Sequence, residues 1–432
     1  MANSLLTISM ITREAVRLWK NTNAFLQNVD MQYDDSFARV GAKIGSNLRI
    51  RLPNDYTVRT GPGAQVQDTT EQQTTLALAT QQGVDVSFST LDRTMSLDDY
   101  SERILAPGIN NLAGAMALNI MQGAEGGVCN LVSNVDGSNN ILSPNATTYL
   151  NAGALLSKNS APTGMRKIVN DPFTQARVVG TLSGLFNPSP EISRQYSTGK
   201  MQQALGFDWM EDQTVLIHTT GSFTSGTLNG AQNNTSTLVT NAITGTLAQG
   251  DIITIAGVDA VNRITKQDTG ALRQFVVTAA VASGATSIPI YPALVAPVTA
   301  GINVQYQTCT VAAANAAVIS LATQTLANSV YRKNIAYAPQ AITIATADLE
   351  LPGGVHEAAR ATYDGVSMRM ITAYEIGTDQ MITRLDILYG FLWVRPEWAC
   401  IVCDIQEVFL HGPPAQSRAG GRWSLQGSKL CR

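Results

Sequence analysis

Cys400 and Cys403 stand at the C-x-x-C spacing that elsewhere makes zinc sites or redox dithiols. A closed zinc site needs two further ligands, yet there is no second C-x-x-C, and neither His356 nor His411 has a partner three to five residues on. Flanked by Trp398 and Val402, the two thiols read instead as small core residues of a strand. Three histidines, His218, His356 and His411, leave little material for general acid–base work, and no G-x-S-x-G nucleophile elbow is present. Gly61, Pro62 and Gly63 begin like a dinucleotide fingerprint, but Val66 holds the third glycine position and the run follows a polar turn. No Walker-type lysine follows a glycine-rich loop. The carboxylate neighbours Asp34–Asp35 and Asp98–Asp99 suit helix caps or solvent better than a shared proton. No catalytic residue, metal ligand or cofactor site is assigned, and the expectation is a protein that is not an enzyme.

The elements that carry these residues belong to a long chain poor in charge. At 432 residues it holds two or three packed units. Charged residues make up 14% of it, against about 25% in ordinary soluble domains. With 29 basic and 32 acidic residues scattered along it, the chain has no basic face to displace counterions from a duplex. Only weak, non-specific contact with DNA is expected. A hydrophobic share of 44% can offset the entropy of ordering the chain, so it folds. Uncharged polar residues and 35 glycines suit surfaces that other subunits cover. Cysteines at 129, 309, 400, 403 and 431 are too scattered for a disulfide framework, which implies a reducing cytoplasm. Arg13, Glu14 and Arg17 interrupt Met1 to Lys20, so no signal peptide is read there. The uncharged stretch Gln274 to Tyr331 is broken by Gly284, Pro289, Pro292, Pro297 and Gly301, and reads as strands and turns rather than a membrane span.

Ile11, Ala15, Leu18, Phe25 and Val29 recur at helical spacing opposite Arg13, Arg17 and Lys20, predicting an amphipathic N-terminal helix. Leu48, Ile50 and Leu52 alternate with Arg49 and Arg51 before the turn at Gly61 to Gly63, and a return leg runs through Leu76 and Leu78 to Val84, Val86 and Phe88. This is an extended arm that needs a neighbour. Ser96 and Asp99 open the longest helix, striped with Ile104, Leu112, Met116 and Ile120 and ended by Gly126 and Gly127. Pro107 inside it predicts a bend near Leu105 that could act as a hinge. A strand is predicted near Val178 and Val179, and a helix opened by Ser189 and Pro190. From Gln213 to Tyr331 the only charges are Asp251, Asp259, Arg263, Lys266, Asp268 and Arg273, which marks a compact β-domain with strands at Ile252–Ile255, Phe275–Thr278 and Ser287–Ile290. An alanine-rich helix is predicted over Thr310 to Val330, and strands at Ala341–Ala345, Val366–Tyr374 and Leu385–Val394. The β-domain therefore interrupts another domain.

This order of elements resembles the tailed-phage major capsid (coat) proteins of the HK97-like fold, in the branch with an insertion domain typified by phage P-22. The runs that support it are Gly206-Phe207-Asp208, Gly250-Asp251-Ile252-Ile253-Thr254-Ile255-Ala256-Gly257-Val258, Leu388-Tyr389-Gly390 and Arg395-Pro396-Glu397. The resemblance implies an α+β fold: an N-arm and start of the P-domain over 1–45, an E-loop over 46–75, and a P-domain with spine helix over 76–126. It further implies an A-domain over 127–212, an inserted antiparallel β-barrel (I-domain) over 213–343, an A- and P-domain return over 344–403, and a tail over 404–432.

The resemblance implies copies of the chain closing into an icosahedral shell around double-stranded DNA, as hexamers and pentamers. It implies a scaffolding protein and a portal as partners, assembly in the host cytoplasm, a place in the virion capsid and no membrane. Subunit-interface residues expected on the E-loop are Arg49, Arg51, Asp55, Arg59, Gly61 and Gly63, and Pro107 is the expected hinge. That loop carries no lysine, so an isopeptide crosslink from it has no amine. Glu14 sits beside Arg13 and Arg17, which leaves the sign of an ionic scaffold contact open. The rival readings are an encapsulin-like nanocompartment shell, which would need a cargo-docking groove; a β-rich adhesin or tail-fibre protein, predicting trimers without shells; and an enzyme using Cys400 and Cys403.

Overall fold

The computed structural model describes residues 8–33, 47–56, 58–64, 66, 71–89, 106–138, 140–182, 203–297, 304–322, 327–363 and 365–406. Helix α1 (Ile8–Thr22) buries Thr12, Ala15, Val16 and Trp19 and turns Arg13 and Arg17 to solvent. It stops earlier than the apolar spacing predicts, because the Asn23 side chain accepts from the Leu26 amide at 3.0 Å and closes a tighter turn. Phe25, Leu26 and Val29 reach the same core from beyond the helix. Strand β1 (Asp30–Tyr33) follows. The arm is an antiparallel pair, β2 (Asn47–Leu52) on β3 (Gln72–Ala77), and β4 (Thr80–Ser89) leads back to the body.

Helix α2 (Ala106–Glu125) buries Ile109, Leu112, Met116 and Ile120 as the stripe requires. Pro107 is its second described residue. The expected bend near Leu105 and the capping residues Ser96 and Asp99 lie outside the described residues. Strands β5 (Asn130–Val132), β6 (Asn134–Val135) and β7 (Ile141–Leu142) precede α3 (Ala146–Lys158), which a reciprocal Asn145–Thr148 box caps. After β8 (Lys167–Asn170), the residues Val178 and Val179 lie in a helix, α4 (Pro172–Leu182), and not in the predicted strand. Pro172 at the first helical position and Asp171, whose carboxylate accepts the Phe173 amide at 3.0 Å, start a helix that overrides the β preference of two valines. The helix predicted at Ser189 and Pro190 lies outside the described residues.

Strands β9 (Gln203–Ala204), β10 (Phe207–Glu211) and β11 (Ile217–Thr219) lead to the inserted domain. That domain comprises β12 (Gly226–Thr227), β13 (Thr235–Val239), β14 (Ile252–Val261), β15 (Asp268–Val277), β16 (Ser287–Leu294) and β17 (Val318–Leu321). The chain returns through β18 (Val330–Tyr337), β19 (Ile342–Ala347), β20 (Glu357–Tyr363), β21 (Val366–Glu375), β22 (Gln380–Trp393) and β23 (Ala399–Ile405).

Three sheets organise these strands. The first runs β1-β19-β22-β21-β20, with β4 on the free side of β22, and α1 and α2 pack on it. The second runs β5-β23-β18-β8-β10-β9, with β11 also on β18. It is buried on both faces: Ile335, Tyr337, Ile401 and Cys403 point into the core shared with α2, while Ala336, Ala338, Cys400 and Val402 point into the core under α3 and α4. The third sheet, β12-β17-β14-β15-β16-β13, is the insertion, antiparallel throughout and filled by its own core of Leu228, Ile253, Ile255, Phe275 and Ile288.

The third sheet curls until its edge strands meet, with the Asn229 amide donating to the Val239 carbonyl at 3.0 Å and the Asn241 amide to the Thr227 carbonyl at 2.9 Å. These are isolated bonds and not a strand ladder, so the expected barrel is only partly closed. The predicted alanine-rich helix over Thr310 to Val330 is not formed. Val318 and Ile319 pair with Thr227 and Gly226 on one side, and Ile319 with Ile255 on the other. The alanine helix preference is a few tenths of a kcal/mol per residue, and burial of Ile319 with completed ladders outweighs it. Of the strands within 213–343, β11 and β18 belong to the second sheet, β19 begins in the first, and the insertion's own strands span Gly226 to Leu321.

Candidate assembly surfaces

The insertion is joined to the body by a buried polar knot. Asp251 is fully buried and its carboxylate accepts from the Ala248 amide at 2.7 Å and the Gly221 amide at 3.0 Å, and meets His218 Nε2 at 2.9 Å. The other ring nitrogen of His218 lies 3.4 Å from Glu125, the last residue of α2, and Lys333 Nζ sits 3.4 Å from the same carboxylate. Lys333 also donates to the Gly250 carbonyl at 3.2 Å. Burial pushes the Lys333 ammonium below its ordinary pKa, and Glu125 opposes the shift. Burial alone would raise Glu125, but its hydrogen bond to His218 and the Lys333 charge leave it below the usual carboxylate range. The Gly250-Asp251 motif is thus the knot that ties β11, β18, α2 and the insertion together.

A second junction ties down the arm. Asp55 Oδ2, beyond β2, meets the Arg263 guanidinium at 3.1 Å, and another nitrogen of Arg263 bonds Glu397 at 2.6 Å. Burial works against the Arg263 charge, and Glu397 and Asp55 outweigh it, raising its pKa. Arg395 lies 3.6 Å from Glu397 and stacks over Trp398 at 4.8 Å. Arm, insertion and returning chain therefore converge on one guanidinium, and both Arg263 and Asp55 keep about a quarter of their side-chain surface in water, at 26% and 27%.

The expected interface residues divide accordingly. Asp55 is held by Arg263 of the insertion, whereas Arg49, Arg51, Arg59, Gly61 and Gly63 face solvent. Arg51 approaches Glu71 only to 3.9 Å, with both side chains largely exposed. Arg59 donates to the Gly61 carbonyl, and Gly61 has φ +95°, a conformation L side chains rarely adopt, while Gly63 has open space around it. Tyr56, Val58 and Val66 add exposed apolar surface to the same arm. Pro107 is remote from this group in sequence and stands at the described start of α2. Of the junction residues, Lys333 had no signal in the sequence, His218 was visible only as one of three histidines, Arg263 only as a rare charge and Glu397 only within the Arg395-Pro396-Glu397 run.

Cys400 and Cys403 lie in different cores, because residues three apart on a strand point to opposite faces. Burial pushes both thiols up, away from the reactive thiolate. Among the described residues no group of three or more His, Cys, Asp or Glu could hold a metal, and no helix is long and apolar enough to cross a membrane. The Leu388-Tyr389-Gly390 run sits where three elements cross: the Tyr389 hydroxyl accepts from Asn119 at 2.8 Å and donates to Gln82 at 3.1 Å. A Cβ at Gly390 would lie 2.1 Å from the Ala77 carbonyl oxygen, so only glycine lets β22 pass the arm's return strand.

Among solved structures, Mycobacterium phage Che8 is similar over 88% of this chain and 90% of its own, at 11% identity and a TM-score of 0.42. The capsid of cyanophage P-SCSP1u is similar over 89% of each chain, at 12% identity and a TM-score of 0.43. The CUS-3 coat protein I-domain matches 24% of this chain and 96% of its own, at 22% identity and a TM-score of 0.19. No curated protein matches the sequence. The family model described as P22 coat protein, gene protein 5, matches residues 3–402, nearly the whole of the chain, and the chain belongs to that coat protein family.

Proposed function

We propose that this coat protein closes, by non-covalent contacts alone, into an icosahedral shell of hexamers and pentamers around double-stranded DNA. The protein is a structural capsid subunit and not an enzyme. The observation that supports the finer reading is the arm, whose polar and apolar side chains Arg49, Arg51, Tyr56, Val58 and Val66 are exposed on one subunit and suit burial against a neighbour. Each contact would contribute a few kcal/mol after association costs, and many per subunit multiply into a closed lattice while single errors stay reversible. The near-neutral wall, at net charge −3, attracts packaged DNA little. Assembly on a scaffolding protein around a portal, in the host cytoplasm, completes the proposal, with Pro107 and the turn at Gly61 to Gly63 as the places where a precursor shell would adjust.

Electron microscopy and sedimentation of the purified chain, alone and with phage lysate, test this. Closed shells with copurified DNA-packaging proteins support it. Monomers or trimers only, with no incorporation into any particle, or shells carrying enzyme cargo, would overturn it. Identical precursor and expanded particles from Pro107→Ala would remove the hinge.

A further inference from the structure

A cavity of about 300 Å³ opens beside the arm's anchor, between arm, insertion and returning chain. Three cationic side chains line it, Arg263, Lys266 and Arg273, against two carboxylates, Asp55 and Glu397. Both carboxylates are already engaged by Arg263, and Arg395 leans on Glu397 as well. Among the described residues Lys266 donates to the uncharged Gln305 carbonyl at 2.7 Å. Arg273 is 8% exposed, and among the described residues its Nε donates to no acceptor and a terminal nitrogen reaches the Cys129 sulfur at 3.9 Å. A guanidinium buried to this degree without a carboxylate or carbonyl partner among the described residues is costly, and an anion is the compensation that its fork of donors fits.

We infer that this cavity binds a small tetrahedral oxyanion of the phosphate class, held by Arg273 and Lys266 with the Tyr306 and Thr308 side of the insertion enclosing it. Burial lowers the Lys266 pKa, and a bound anion would reverse that shift. The size agrees: the cavity admits a hydrated phosphate but not a duplex. An anion held here by the insertion would lie beside the Asp55–Arg263–Glu397 contact, making the hold on the arm depend on the ionic composition of the solution.

Calorimetric titration of the unassembled full-length chain with inorganic phosphate, against chloride at matched ionic strength, reads the site independently of shell formation. Saturable binding near one phosphate per chain is expected, with a rise in melting temperature. Arg273→Met should weaken binding at least tenfold, and Arg273→Lys less. Should Arg273→Met not fold, Lys266→Met, at a half-buried position, decides by the same loss. Equal responses to phosphate and chloride, or unchanged affinity in the folded variants, would overturn the site. So would a map of an assembled shell showing a neighbouring copy's carboxylate against Arg273.

Discussion

Two junctions hold this molecule together, and they are built to different standards. At the insertion, Asp251 and Lys333 are almost wholly removed from water and tied to backbone on several sides. At the arm, Asp55 and Arg263 remain partly wet, and Glu397 at 20% exposure completes the contact. A buried ion that loses its partner keeps its desolvation cost, whereas a wet one is taken up by solvent. The insertion is therefore fixed to the body, and the arm is releasable.

The sharpest break of that contrast is Asp251→Ala. It strands two backbone amides and His218 at once and should cost about 3 kcal/mol or more, seen as a lower denaturant midpoint. An unchanged midpoint would mean that the knot is ornamental. Gly390→Ala comes next, at roughly 1–3 kcal/mol, because a backbone oxygen cannot move aside as a side chain can. Asp55→Ala should cost only about 1 kcal/mol in overall stability, yet should speed limited proteolysis of the arm; equal cleavage rates would deny it a role as an anchor.

Acid sharpens the same comparison. Glu125 titrates below the ordinary carboxylate value when folded, so the stability it contributes is present above that value and is lost as pH falls through its folded pKa. Melting temperatures should fall steeply on acidification below about pH 4.5, and Glu125→Gln should flatten the fall. The smallest effect belongs to Arg51→Ala. Its exposed pair should contribute less than about 0.5 kcal/mol to the single subunit, so any larger consequence must show in shell yield.

What could be read from the sequence was what repeats locally. The stripe of α2 and the strands β19, β21 and β22 announced themselves, as did the charge-poor insertion. α4 was misread because Val178-Val179 reports β propensity while the decisive residues, Asp171 and Pro172, sit nearly two turns earlier. β17 was misread because alanine composition says nothing about which strands wait for hydrogen bonds on either side. The junctions were out of reach for a different reason: Asp55 and Arg263, like Glu125 and Lys333, are 208 positions apart, and no local pattern links them. The motif residues of the resemblance nonetheless fall on these crossings, at Gly250-Asp251, Tyr389-Gly390 and Glu397.

One feature of the topology reaches past assembly. β11 enters the insertion and β18 leaves it as antiparallel neighbours, with Thr219 opposite Val330. The doorway is thus a single interstrand spacing wide, about 4.8 Å. A module grafted there needs only adjacent termini and a substitute for the Asp251 tether, which makes the doorway a natural seam for exchanging the inserted lobe while the second sheet stays intact.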